Sequence, residues 1–277
     1  MIEGMTLEDH LGDILHKARD AAGVTLNAAA GIAGLTVAEL QQLEETGHTG
    51  KRLDLPALSR LLKLDPAKLD QIAAGWLPTA VDLSRWRELR PIVTSNGGYA
   101  VNCYLIWDEA TREAALFDTG WEAPPILSLV AENRLDLKHL FITHTHEDHV
   151  AAQHNLETAV PGLRIHTSAS RAPVAQRNRP QDCIAVGSLR VTVRETPGHS
   201  ADGVTYVVGG FPENAPLAAI IGDSLFAGSI GRGFFSTELL LQKVREQVLS
   251  LPPETLLCPG HGPFTNVAEQ KEHNPFF

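Results

Sequence analysis

Apolar residues recur at helical spacing through the first quarter of the chain and in a strand-like pattern afterwards. Leu7, Leu11, Ile14, Leu15 and Ala18 share one face of a helix that Thr6 can cap. Thr25 can cap a second, short helix that Gly34 ends. Thr36-Val37-Ala38-Glu39 is a capping box opening a third, closed by Gly47, with Leu40 and Leu43 on its inner side. Pro56 and Pro66 sit at first-turn positions, and Asp65 can cap the last helix. Residues 7–75 therefore read as five short helices, and residues 77–82 as a linker. From about residue 84 strands and helices mix. Residues 99–107, 113–117, 137–143, 189–195, 204–208 and 217–221 read as strands, and 126–133 and 237–249 as helices. That mixture predicts a layered α/β sandwich behind a small all-α unit. The division is residues 1–77 for the helical domain, 78–87 for the linker and 88–277 for the catalytic domain.

Composition narrows the function classes. The chain has 277 residues, 43% of them hydrophobic, which suits one or two globular domains. No apolar run approaches the roughly 18 residues of a membrane helix. The first residues, Met1-Ile2-Glu3-Gly4-Met5, carry no basic or apolar leader pattern. A net charge of −10 argues against a strongly basic nucleic-acid binder or an anionic-membrane binder. Cys103, Cys183 and Cys258 are odd in number and form no CxxC pair. They read as small buried apolar residues of a protein in a reducing cytoplasm.

The chemistry concentrates in His144-Thr145-His146-Glu147-Asp148-His149, which follows a strand and precedes an Ala-rich helical run. In extended chain, residues two apart point the same way, so His144 and His146 can reach one ion. A turn into a helix at Asp148 would make Asp148 and His149 diverge toward a second. Imidazole and carboxylate suit zinc, iron or manganese. These four residues cannot complete two sites, and three later loops offer further ligands. Pro197-Gly198-His199, Gly222-Asp223 and Pro259-Gly260-His261-Gly262 all fall at strand ends, where sites gather. His154 and His166 read as structural or solvated.

Together with Phe117-Asp118-Thr119-Gly120, Gly228-Ser229-Ile230-Gly231-Arg232 and His273-Asn274-Pro275-Phe276, these motifs resemble the metallo-β-lactamase superfamily, in its glyoxalase II-like hydrolase branch. The resemblance spans about residues 88–277 and implies an αββα sandwich with a metal pair at one edge. It implies that His144, His146 and His199 hold one divalent ion, that Asp148, His149 and His261 hold the other, and that Asp223 bridges both. Zinc is the expected metal, with iron or manganese as alternatives. Asp118 is either the residue that orients a ligand histidine or a turn-forming aspartate before Gly120. Arg232 is either a partner for an anionic substrate group or a surface arginine. Two cations roughly 3.5–4 Å apart would acidify a shared water, which attacks a carbonyl carbon. A water or Asp148 relays the proton.

Full-length glyoxalase II enzymes carry a C-terminal helical domain for glutathione, whereas 16 residues follow His261 here. The expected substrate is therefore a thioester, ester or other small acyl compound rather than S-lactoylglutathione in particular. A related branch oxidises persulfides with one iron held by two histidines and an aspartate. Here these would be His144, His199 and Asp223, a subset of the same ligands.

The first 75 residues are similar to phage-repressor-type helix-turn-helix domains. Leu11-Gly12-x-x-Leu15-x-x-Ala18-Arg19 and Gly23-Val24-Thr25-Leu26 match the first two helices. Residues 35–44 match the turn and recognition helix. A regulator with a metal-binding sensor domain is thus a competing reading. Charge weighs against it: residues 1–80 carry seven basic and eleven acidic side chains, and none of Lys or Arg falls between Arg19 and Lys51. Gln41 and Gln42 could read bases, but dimerisation or covering of the catalytic mouth suits this unit better. The expected partners are a small-molecule substrate and a second copy of the chain, with no membrane.

Overall fold

The computed structural model describes residues 6–179 and 181–277; the leader reading of Met1–Met5 lies outside them. Five helices come first: α1 (Leu11–Ala21), α2 (Leu26–Ala33), α3 (Val37–Thr46), α4 (Leu55–Leu61) and α5 (Pro66–Ala73). The caps at Thr25, Thr36, Asp65, Gly34 and Gly47 are those the sequence predicts. Thr6 does not cap α1. His10 does, its ring accepting from the Asp13 amide at 3.1 Å while Asp13 accepts from the His10 amide. The chain before His10 is instead drawn onto the rest of the molecule, where Leu7 joins the core and Asp9 meets Ser229.

A 3-10 turn at Leu83–Trp86 leads into two sheets. The first contains β1 (Leu89–Asn96), β2 (Tyr99–Trp107), β3 (Glu113–Phe117), β4 (Asp136–Phe141) and β5 (Arg164–His166), in that spatial order. The second contains β6 (Cys183–Val186), β7 (Leu189–Glu195), β8 (Val204–Gly209), β9 (Ala218–Gly222), β10 (Leu256–Pro259) and β11 (Thr265–Asn266), ordered β11-β10-β9-β8-β7-β6. Pairs β3–β4, β4–β5 and β9–β10 are parallel. Five further helices follow the strands: α6 (Pro124–Glu132), α7 (Glu147–Val150), α8 (Gln153–Ala159), α9 (Thr237–Lys243) and α10 (Val267–His273). The long helix expected at 237–249 changes at Val244 into one π-helical turn.

Strand alternation builds the layers. Phe117, Phe141, Tyr206, Val208 and Ile220 point between the sheets, and Phe117 stacks on Phe141 with centroids 5.0 Å apart. Leu116, Leu140 and Ile142 point outward to Ile126 of α6 and Leu156 of α8. Val207, Ala219, Ile221 and Leu257 point out of the second sheet to Leu240, Val244 and Val248. The result is the αββα sandwich. That third core continues into the helical unit through Ile14, Leu15, Leu40, Leu43 and Leu58. Cys103 and Cys258 are buried, but Cys183 is exposed, because β6 is an edge strand that turns only Val186 fully inward.

Candidate metal centre

The sandwich brings the C-terminal ends of β3, β4, β7, β9 and β10 to one edge, where parallel-oriented strands release their loops. Asp118 follows β3, His144 to His149 follow β4, His199 follows β7, Asp223 follows β9 and His261 follows β10. All seven expected ligands meet there. His144 Nε2 lies 3.0 Å from His146 Nδ1, which lies 2.9 Å from His199 Nε2. A second group joins His149 Nε2 to Asp148 at 3.7 Å and His261 Nε2 to Asp148 at 3.2 Å. The Asp223 carboxylate stands between them, 3.3 Å from His149 Nε2, 3.4 Å from His261 Nε2 and 3.5 Å from His199 Nε2.

Hydrogen bonds on the far side of each ring decide what faces inward. His199 Nδ1 lies 2.7 Å from the Arg232 carbonyl and His261 Nδ1 2.6 Å from the Ala100 carbonyl. A carbonyl only accepts, so both Nδ1 atoms donate, and in neutral rings both Nε2 atoms present lone pairs. His149 Nδ1 donates likewise to Asp118 Oδ2 at 2.8 Å. Its Nε2 and Asp223 Oδ1 are then two buried acceptors face to face, and neither has a hydrogen-bond partner. Such a contact is repulsive unless a proton or a cation lies between. The same holds at His146 Nδ1, which can donate to only one of its two imidazole neighbours. Imidazoles anchored at one nitrogen and open at the other are what a divalent cation requires. The residues fit a cation pair.

Without cations, protons fill the gap. Burial works against a charge on His149, but Asp223 and Asp118 outweigh it and push the ring up to about 10. His261 is raised to about 11 against its burial by Asp148 and Asp223. Burial lowers His144 and His199, which stay neutral. Asp223, though fully buried, is held well below the carboxylate range by His149 and His261.

Asp118 both accepts from His149 Nδ1 and forms a turn before Gly120. It has a left-handed backbone (φ 57°), and its carboxylate also accepts from the Thr143 amide at 2.7 Å. Gly260 is forced by close approach: a Cβ there would lie 2.2 Å from Asp223 Oδ1 and 2.7 Å from His149 Cε1. Arg232 turns its guanidinium away to Asp20 at 2.9 Å, so its carbonyl, not its charge, touches the centre. His166 is structural, 3.0 Å from His139, and His154 is exposed. Phe234 escaped the sequence reading. It is 66% exposed and sets its ring against His146 at 5.8 Å and His199 at 5.4 Å. Only its place just after the Gly-rich loop hinted at it. No helix among the described residues is long and apolar enough to cross a membrane.

Comparison with known proteins agrees with this architecture. The sequence profile of the metallo-beta-lactamase superfamily matches residues 96–161. The chain is 31% identical over 201 residues to the hydroxyacylglutathione hydrolase GloC of Haemophilus influenzae, covering 63% of this chain and 92% of that one. It is 35% identical over 162 residues to the hydroxyacylglutathione hydrolase of Fuscovulum blasticum, covering 57% of this chain but only 61% of the relative. Among solved structures, ETHE1 from Myxococcus xanthus superposes with a TM-score of 0.60 at 34% identity, covering 68% of this chain and 83% of that one. The edge-of-sheet centre and this likeness together place the chain in one family: it belongs to the metallo-beta-lactamase superfamily.

Proposed function

We propose that the chain is a hydrolase of thioesters or similar small acyl esters that works with a pair of divalent cations, zinc foremost. The observation that carries this reading is the pair of buried acceptors, His149 Nε2 and Asp223 Oδ1, facing each other at the junction of two ligand groups. Its support from relatives is the likeness to two proteins named hydroxyacylglutathione hydrolase. In this reading His144, His146 and His199 hold one cation, Asp148, His149 and His261 hold the other, and Asp223 touches both. When bound, the cations acidify a water and polarise the acyl carbonyl.

The chain's own groups do the rest. Asp118 keeps the His149 proton on Nδ1, so that Nε2 stays a ligand. Asp148, whose side chain is 23% exposed, stands at the solvent side of the centre and passes the proton outward. Phe234 shields His146 and His199 from water and offers an apolar face to an acyl group. Arg232 meets an anionic substrate group when it lets go of Asp20. Residues 1–77 serve this centre as a cover rather than as a DNA reader, with residues 78–87 as the connection to the catalytic part.

The test is metal analysis of protein purified without added metal, joined to a panel of thioester, lactone, phosphodiester and β-lactam substrates. About two cations per chain are expected, with thioester turnover that a chelator abolishes and added cation restores. One iron per chain with persulfide-dependent oxygen uptake, using only His144, His199 and Asp223, would overturn it.

A further inference from the structure

One nearly buried charge pair ties the helical unit to the loops of the metal centre. Asp9, in the bend before α1, pairs with Lys17 on α1; their side chains are 9% and 15% exposed. Asp9 also accepts from Ser229 Oγ at 2.5 Å, and Lys17 Nζ donates to the Ile230 carbonyl at 2.8 Å. Ser229 and Ile230 lie in the loop that follows Asp223. Apolar side chains would hold two units together with less loss of solvation. What an ammonium adds is direction, since it fixes one particular carbonyl.

Two short routes lead from that ammonium to the cation ligands. In the first, Ile230 lies two residues before Arg232, whose carbonyl holds His199 Nδ1 at 2.7 Å. Gly231 between them is pressed so closely onto the centre that a Cβ would lie 1.7 Å from the Asp223 carbonyl oxygen and 3.1 Å from His199 Nδ1. A shift of the Ile230 carbonyl is therefore passed to His199 and Asp223 rather than absorbed. In the second, Lys17 Nζ stands 5.1 Å over the Phe226 ring, which meets the His261 ring edge-on at 5.9 Å. One side chain of α1 thus bears on a ligand from each cation group. The helical unit also touches the loops of the centre through Asp20, which holds Arg232 at 2.9 Å, and through Glu8, which packs against Gly262 beside His261. Lys68 lies away from it, its Nζ donating to the carbonyls of Lys271 and Phe277 at 2.7 and 3.0 Å.

We propose that Lys17, clamped by Asp9, is a positioning residue of the metal centre, setting His199 through the Ile230–Arg232 backbone and His261 through Phe226. The proposal rests on the cation-pair reading above, but not on the identity of the substrate.

The experiment titrates chelator-stripped, full-length protein with Zn2+ against a chromophoric competitor, and with Co2+ while its visible d–d bands are recorded. Lys17→Met is expected to weaken zinc by about tenfold or more, in the ~10–100-fold range for partners of ligand histidines. Its cobalt bands should change while far-UV circular dichroism does not. Lys17→Arg, which keeps a cationic donor, should recover most of the loss. Lys68→Met should match the wild type in both titrations. Wild-type zinc affinity and cobalt bands in a folded Lys17→Met chain overturn the proposal. So does an equal loss in Lys68→Met, which would make the effect one of docking in general. Should Lys17→Met not fold, Ser229→Ala removes only the hydroxyl partner of Asp9; a severalfold loss of zinc affinity sustains the proposal and none overturns it. Weakened zinc in Lys17→Met beside a wild-type chain that hydrolyses no thioester would uphold the positioning role and remove the substrate reading alone.

Discussion

Asp118 binds three hydrogens with one carboxylate: the Thr143 amide at 2.7 Å, the Thr143 hydroxyl at 2.8 Å and His149 Nδ1 at 2.8 Å. Its backbone is left-handed, a conformation that Asp and Asn tolerate better than most residues. Asp118→Asn should therefore fold, yet lose cation affinity by roughly 10–100-fold, because an amide cannot accept at both ends; competition against a chelator measures it. Asp223→Ala removes the carboxylate that reaches both ligand groups, so cation content and turnover should fall together, and undiminished rates would contradict the bridge. Protons give a third test. The raised rings of His149 (about 10) and His261 (about 11) are charged at neutral pH in the cation-free chain. Their attraction to Asp118, Asp148 and Asp223 stabilises that chain fully below pH 6.5, the ordinary histidine value, and is lost as pH rises through about 10 and 11. Cation uptake must expel these protons, so its affinity should climb with pH across that window. Titration calorimetry in two buffers of different ionisation heat should find about two protons released per chain at pH 7; no release would refute the ligand roles of the two rings.

At the scale of elements, what could be read from the sequence was what side-chain chemistry writes into it. Helix caps at Thr25, Thr36 and Asp65 are local hydrogen bonds, so local sequence reveals them. Strands β3, β4, β8 and β9 are apolar enough to be seen, and both their faces are covered. β1 was not seen. It is an edge strand with Pro91 inside it and exposed polar residues at its end, a pattern that the backbone ladder with β2 overrides. β5, β6, β10 and β11 have two to four residues each, too few for any period to show. The site was legible for the same reason as the caps: its chemistry is written in side chains, since histidine is scarce, 12 in 277 residues, and five of the twelve join two aspartates in short motifs. The Ala100 and Arg232 carbonyls that orient His261 and His199 were not, since every residue has a carbonyl. For α3, the structure adds to the charge argument against DNA. Glu44 takes Arg19 at 2.7 Å and Glu39 takes Lys51 at 2.8 Å, so the nearby cations are already spent on the helix's own acids. A gel shift at low salt with the upstream region of its own operon should show no specific retention; specific retention would restore the regulator.

At the scale of the whole molecule, the helical unit and the sandwich share a core. Leu15, Leu43, Leu58 and Ile72 belong to the same buried cluster as Ile221, Leu225, Leu257 and Val267. Burying one such side chain contributes about 1.5–3 kcal/mol, so separating the two parts would expose several of these at once. Calorimetry of the cation-free chain should show one transition rather than two, and saturating zinc should move that transition upward as a single peak. Two well-resolved transitions would show that residues 1–77 melt on their own. The continuous cluster also bears on ancestry. A bead on a string can be gained or lost at a linker in one recombination event. Helices packed on α10 and on the loop after β9 can be exchanged only together with matching changes there, so such a partnership, once formed, is inherited as one piece.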